Sequence, residues 1–244
     1  MLAKIVSDIG FDGIELPVRD GYPVTPANVT SELPKWLSAF SDAGLAIMSV
    51  AGEPNPKLVE ACGVARVPLI RVMAPIEGQD YHAAVQNLQQ RFRSWLPLCE
   101  TAGVRIAVQQ HHGRFISTVA GLTALLAPLP ADWVGAAWDP GHSALAGEDA
   151  DLSVSQLADR LIMVNLRNAY YTGTPNADRT TSNWAPRWVT GNEGMSDWAS
   201  VTSCLRAIDY NGPICLAAQY TEAGEHLPQF VQADLTLAQH LFAQ

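Results

Sequence analysis

Asp139 and His142 flank a Pro-Gly pair, directly after the apolar run Val134, Gly135, Ala136, Ala137 and Trp138. A carboxylate and an imidazole three residues apart can ligate a metal or exchange protons as acid and base. When such a pair closes a buried-strand pattern, it is predicted to lie at the carboxyl end of a parallel sheet, where α/β enzymes keep their chemistry. Side chains two apart on a strand share a face. With Asp139 facing inward, the same parity places Glu15, Arg71, Gln109, His111, Asn165, Arg167 and Gln219 inward, with His142 just beyond its strand. So many converging polar groups are costly to bury unless they satisfy one another, water or a ligand, and a ligand site is the economical explanation. His112 is predicted to face the helices or the following loop, and His82, His226 and His240 to lie on the surface.

Seven short apolar runs must supply the strands: residues 13–16, 45–50, 69–73, 105–111, 134–138, 161–166 and 214–219. Between them lie helical patterns, clearest over 32–43, 81–102, 198–208 and 226–242. Strict alternation of strand and helix implies right-handed parallel crossovers. A closed eight-stranded barrel and a doubly wound sheet both satisfy it. The first nine residues read as a helix already in progress, so a (β/α)8 barrel would lack, or be truncated at, its first strand. Residues 168–197 form the longest irregular-looking segment, with Tyr170, Tyr171, Trp184 and Trp188 among Gly, Thr, Asn and Pro. Loops of that length are commonly lids. Flat rings exclude water and offer a face to sugar C–H groups, so Trp184 and Trp188 are candidate substrate contacts.

The chain has 244 residues, 48% of them hydrophobic, which suits a single domain over 1–244 with one sizeable core. Its 24 acidic and 15 basic residues give a formal charge of −9, with no dense basic run. That balance argues against nucleic acid or an anionic membrane as partner and favours a small polar ligand. Cys62, Cys99, Cys204 and Cys215 are scattered without a C-x-x-C pair and read as free thiols, Cys99 and Cys215 in the core. No apolar run approaches the roughly 20 residues of a bilayer span, and the expectation is a soluble, cytoplasmic protein.

Six pieces in order carry a resemblance: Gly10-Phe11-Asp12-Gly13-Ile14-Glu15-Leu16, Val108-Gln109-Gln110-His111-His112-Gly113, Trp138-Asp139-Pro140-Gly141-His142, Val164-Asn165-Leu166-Arg167-Asn168, Gly191-Asn192-Glu193-Gly194-Met195-Ser196-Asp197-Trp198 and Tyr210-Asn211-Gly212-Pro213. Together they resemble the xylose isomerase-like TIM-barrel superfamily of sugar isomerases and epimerases, to which the endonuclease IV group is related. The resemblance implies a divalent metal held by a Glu, an Asp, a His and a second Glu, with the two glutamates moving the proton. Three of those four places depart: Gln109 stands at the first Glu, Asn165 at the His and Gln219 at the second Glu. Asp139 is retained, as is His142, which in relatives contacts substrate or metal. Arg167 and Asn168 stand where Lys and Asp are usual.

Neutral amides are poor ligands for Mn, Mg or Zn and cannot carry a proton near neutral pH. They do suit sugar hydroxyls as donors and acceptors. A degenerate metal site, with Asp139 and His142 as residual ligands or with no ion, is therefore expected. Two functions remain open. One is isomerase or epimerase chemistry on a small sugar or keto-sugar, with Asp139, His142, His111 and Glu15 as acid/base candidates. Gln109, Asn165, Arg167, Gln219 and Arg71 would then bind substrate, the arginines holding an enediolate, carboxylate or phosphate. The other is a non-catalytic sugar-binding paralogue. Endonuclease-like cleavage is disfavoured by the acidic balance and the missing metal ligands. An incomplete barrel would expose a strand edge that invites a homo-oligomer.

Overall fold

The computed structural model describes residues 2–177 and 180–244. The chain divides into two compact units, Met1–Gln109 with Leu122–Ala137 and Gln110–Gly121 with Trp138–Gln244.

The first unit opens with helix α1 (Leu2–Ile9), and no strand precedes it among the described residues. It continues through β1 (Gly13–Pro17), α2 (Val29–Ser41), β2 (Ala46–Ala51), α3 (Pro56–Ala65), β3 (Leu69–Met73), α4 (Tyr81–Ala102) and β4 (Arg105–Gln109). Beyond α5 (Val119–Leu126), strand β5 (Val134–Trp138) completes a parallel ladder in the order β1, β2, β3, β4, β5. Local chemistry sets the helix ends. Asn55 accepts from Leu58 N at 3.1 Å and Asp80 from Ala83 N at 3.0 Å, each satisfying an amide that the first turn leaves open. Gly103 ends α4 at φ 67°, a left-handed conformation that suits glycine.

The second unit holds α6 (Pro140–Leu145), α7 (Ala150–Leu157), β6 (Leu161–Leu166), β7 (Asn168–Pro175), β8 (Ser182–Val189), α8 (Trp198–Ala207), β9 (Ile214–Leu216) and α9 (Leu227–Phe242). β6 and β9 pair in parallel, whereas β7 and β8 form a separate antiparallel hairpin.

All seven strands expected from sequence are present. Two are shorter than expected: the fourth stops at Gln109 and the last at Leu216. The segment read as irregular is corrected, because most of it is the β7/β8 hairpin, in register from Asn168 opposite Val189 to Pro175 opposite Ser182. Its Tyr, Thr, Trp and Val residues are strong strand formers. Helices α3, α5, α6 and α7 add to the four clearest helical patterns. All four cysteines are free, Cys62 and Cys99 buried, while Cys215 is only half-buried and so lies outside the expected core. Burial pushes the Cys62 thiol up to about 12 and the Cys99 thiol up to about 11, so neither offers a thiolate near neutral pH. Among the described residues no helix is long and apolar enough to cross a membrane.

Candidate functional site

Four successive strands of the first unit each contribute one group to a single polar knot. Glu15 lies opposite Ser49 in the β1/β2 register, and Ser49 Oγ donates to Glu15 Oε2 at 3.0 Å. Arg71 Nε lies 2.9 Å from both Glu15 oxygens, and its Nη2 donates to Oε1 at 2.5 Å. Arg71 Nη1 also donates to the side-chain carbonyl of Gln109, which is buried. The fork geometry of a guanidinium on a carboxylate makes this a strong, oriented pair.

In the second unit Asp139 begins α6 as its N-cap, its Oδ1 accepting from His142 N at 3.1 Å, with Pro140 in the first turn where no amide donor is needed. That is the local reason for the Asp-Pro-Gly-His sequence. Gly141 fits because a Cβ there would stand 2.8 Å from both Cγ and the carbonyl oxygen of Arg167. The other Asp139 oxygen, Oδ2, is 2.9 Å from Arg167 Nε and 3.4 Å from Asn165 Nδ2. Arg167 follows β6 on the same parity as Asn165, and its Nη1 donates to Gln219 Oε1 at 3.0 Å. Asp139 and His142 are fully buried, and Gln219 is exposed. Gln110 points away toward α6, donating to Asp139 O at 3.0 Å and to Ser143 Oγ at 3.2 Å.

Three imidazoles gather beside this pair. The ring centroids of His111 and His142 are 4.2 Å apart, those of His111 and His112 are 4.5 Å apart, and those of His112 and His142 are 5.1 Å apart. One ligand atom from each lies within 4.8 Å of the others. His111 Nδ1 is 2.8 Å from His112 O, so it carries the hydrogen and donates, leaving Nε2 with the lone pair. His112 N donates to His142 Nδ1 at 3.4 Å, and His142 Nε2 is 3.8 Å from Asp139 Oδ2. Burial, and secondarily the Arg167 charge, lower the pKa of His112 from its ordinary value, which favours the neutral ring.

The hairpin supplies the wall. Trp188 on β8 meets His112 at 5.5 Å and His142 at 5.2 Å, both edge-on, and the Arg167 guanidinium lies 5.0 Å from its ring centroid. The base of the hairpin is tied down: Trp188 N donates to Thr221 Oγ1 at 2.8 Å, and Thr221 N to Trp188 O at 3.0 Å. Asn168 fastens the return, donating to the carbonyls of Gly191 and Ser196 while accepting from Ala169 N and Ser196 N. A Cβ on Gly194 would fall 2.1 Å from Asn168 Oδ1, so the Gly-Asn-Glu-Gly turn packs against that amide. Trp184, by contrast, is 67% exposed and packs across the hairpin onto Gly173.

The residues singled out from sequence thus fall into two groups. Glu15, Arg71 and Gln109 join in the first unit. Asp139, His111, His142, Asn165, Arg167, Gln219 and Trp188 join in the second. His112 is the residue sequence reasoning missed. Its assignment carried strand parity past Gln109, yet β4 ends there, and the chain then turns through Gly113 at φ 84°. A His-His-Gly sequence just past a strand end was the available signal. His82, His226 and His240 are exposed, as expected.

Of the positions at which the resemblance implies a metal, Asn165 and Gln219 in the second unit offer amides and the Asp139 carboxylate there carries a guanidinium instead; Gln109, in the first unit, is an amide bonded to Arg71. That donor set does not fit a divalent ion of the usual kind. The fold itself has many parallels. The structure of D-psicose 3-epimerase with D-tagatose from Clostridium cellulolyticum H10 superposes with a TM-score of 0.73 at 14% identity, covering 99% of this chain and 92% of that one. For 3-keto-D-glucoside 4-epimerase, YcjR, from E. coli the values are 0.70 and 13%, covering 96% and 92%. The IOLI protein with a binding zinc atom gives 0.77 and 13%, covering 99% and 92%. No curated protein sequence matches. The fold is thus a TIM-barrel-type α/β fold, and because the xylose isomerase-like TIM-barrel model matches residues 3–235, the chain belongs to that family.

Proposed function

We propose that the protein acts on a small sugar or keto-sugar as an isomerase- or epimerase-type catalyst that works without the family's carboxylate-held metal. The observation that carries this reading is Arg167, held at 2.9 Å by the buried Asp139 and extended at 3.0 Å to the exposed Gln219. A fixed cation at the retained aspartate supplies in place what a metal supplies elsewhere, positive charge for the oxygen of an enediolate. Asp139 orients that cation. His111 and His142 are the groups able to take a proton from the carbon next to a carbonyl and return it. Asn165 and Gln219 offer donors and acceptors to hydroxyls, and Trp188 covers the imidazoles. Structurally similar proteins named as sugar epimerases support the substrate class.

A second reading, a sugar-binding paralogue without turnover, is favoured by the amides at Gln109, Asn165 and Gln219. One experiment separates them. The protein, with chelator present, is incubated in D2O with a panel of aldoses, ketoses and keto-sugars, and the proton beside the carbonyl is followed by NMR. Exchange that disappears in His142→Gln and Arg167→Met supports catalysis. Saturable binding without exchange supports the paralogue, and neither effect across the panel rejects both.

A further inference from the structure

We propose that His111, His112 and His142 form a binding site for a borderline transition-metal dication, zinc by preference, with one coordination position left open. This site is separate from the amide-substituted ligand set and does not rest on the sugar reading; because a zinc-bound nitrogen has no lone pair left, His111 and His142 carry the proton of that reading only while the ion is absent. The chemistry of the donors sets the class of ion. Three imidazoles with no carboxylate among them suit Zn, Co, Ni or Cu and disfavour Mg, which takes oxygen ligands. Three protein nitrogens with a free fourth position is the arrangement of catalytic rather than structural zinc.

The geometry needs only a small closure. Three ligand atoms already lie within 4.8 Å of one another, while tetrahedral zinc with bonds of about 2.0–2.1 Å sets its nitrogens roughly 3.4 Å apart. Rotation of imidazoles whose centroids are 4.2 to 5.1 Å apart covers that difference. A supporting hydrogen bond is in place for His111, and a carboxylate lies near His142. His111 holds its Nδ1 hydrogen on the carbonyl of His112, which presents Nε2 as the donor. His142 Nδ1 accepts a long bond of 3.4 Å from His112 N, which an ion would displace; ligation through Nδ1 would then turn Nε2–H toward the Asp139 carboxylate 3.8 Å away, the usual outer partner of a metal-bound imidazole. His112 Nδ1 is buried and has no hydrogen-bond partner, an orphaned polar atom that an ion would satisfy. Asp139 and Arg167 cancel each other's charge, so a dication there would draw an anionic fourth ligand such as hydroxide or an ionised oxygen.

The test is equilibrium dialysis of chelator-stripped protein against Zn²⁺, with metal analysis, and visible absorption of the Co²⁺ form as a reading of tetrahedral geometry. One equivalent is expected, unaffected by excess Mg²⁺. His112→Ala and, separately, His111→Gln should each weaken binding more than about tenfold, and Asp139→Asn by about tenfold, with folding checked by circular dichroism. A His82→Gln, His226→Gln, His240→Gln triple variant should bind as the parent does. Failure to bind zinc, binding indifferent to both cluster variants, or loss in the triple variant overturns the proposal.

Discussion

The two polar knots of this molecule use the same three parts, a carboxylate, a guanidinium and a glutamine, in different ways. In the first unit Arg71 grips both oxygens of Glu15 and the amide of Gln109, with Ser49 closing the remaining side. In the second, Arg167 reaches Asp139 through Nε alone, extends to an exposed glutamine, and lies over an indole beside three imidazoles. The first arrangement engages all three nitrogens of its arginine. The second leaves a guanidinium directed at groups that a ligand can replace. Charge composition alone does not distinguish a closed pair from one with a donor turned to an exposed partner; how the donors are used does.

That contrast breaks first on stability. Arg71→Ala strands a nearly buried carboxylate and should cost about 3–5 kcal/mol in urea unfolding. Arg167→Ala leaves Asp139 the His142 amide and Asn165, so about 1–3 kcal/mol is expected, with loss of sugar binding. Equal costs would erase the distinction. Next, Gly141→Ala forces Arg167 aside, since its Cβ would stand 2.8 Å from that residue; about 1–3 kcal/mol and weaker sugar binding should appear together in denaturation and calorimetry. Trp188→Leu removes the indole from Arg167 for about 0.5–1 kcal/mol, which a melting curve should resolve. An unaffected ligand titration in that variant would remove the indole from the site.

The smallest effect concerns pH. Because the folded pKa of His112 is depressed, the unfolded chain binds the proton first on acidification. Its contribution to stability is therefore complete above the ordinary value of 6.5 and is lost as pH falls through the folded pKa. Unfolding midpoints measured above and below pH 6.5 should differ less in His112→Gln than in the parent. A parent midpoint that rises on acidification would contradict the sign.

Much of this was legible in the sequence because strand parity is a rigid rule. It assigns Glu15, Arg71, Gln109, Asn165 and Arg167 alike to the inward face without reference to packing; the first three are bonded to one another in the first unit, and the last two meet Asp139 in the second. Parity fails where strands end, which is why it misplaces His112, three residues beyond the last residue of β4. Short helices such as α6 are hard to read because six residues give too little periodicity, even though Asp139 and Pro140 announce its start. The hairpin is hard to read because its Gly, Pro and Asn suggest irregularity, while the pairing that makes it a ribbon depends on partners 7 to 21 positions away along the chain.

That ribbon has a length independent of its foundation. Trp188 faces Ala169, and its place is fixed by Thr221; Trp184 faces Gly173 farther out. Removing facing residues in matched pairs from the outer end would shorten the ribbon while every remaining pair kept its alignment. The reach of the projection can accordingly vary between descendants of this chain while the indole over the imidazoles keeps its seat.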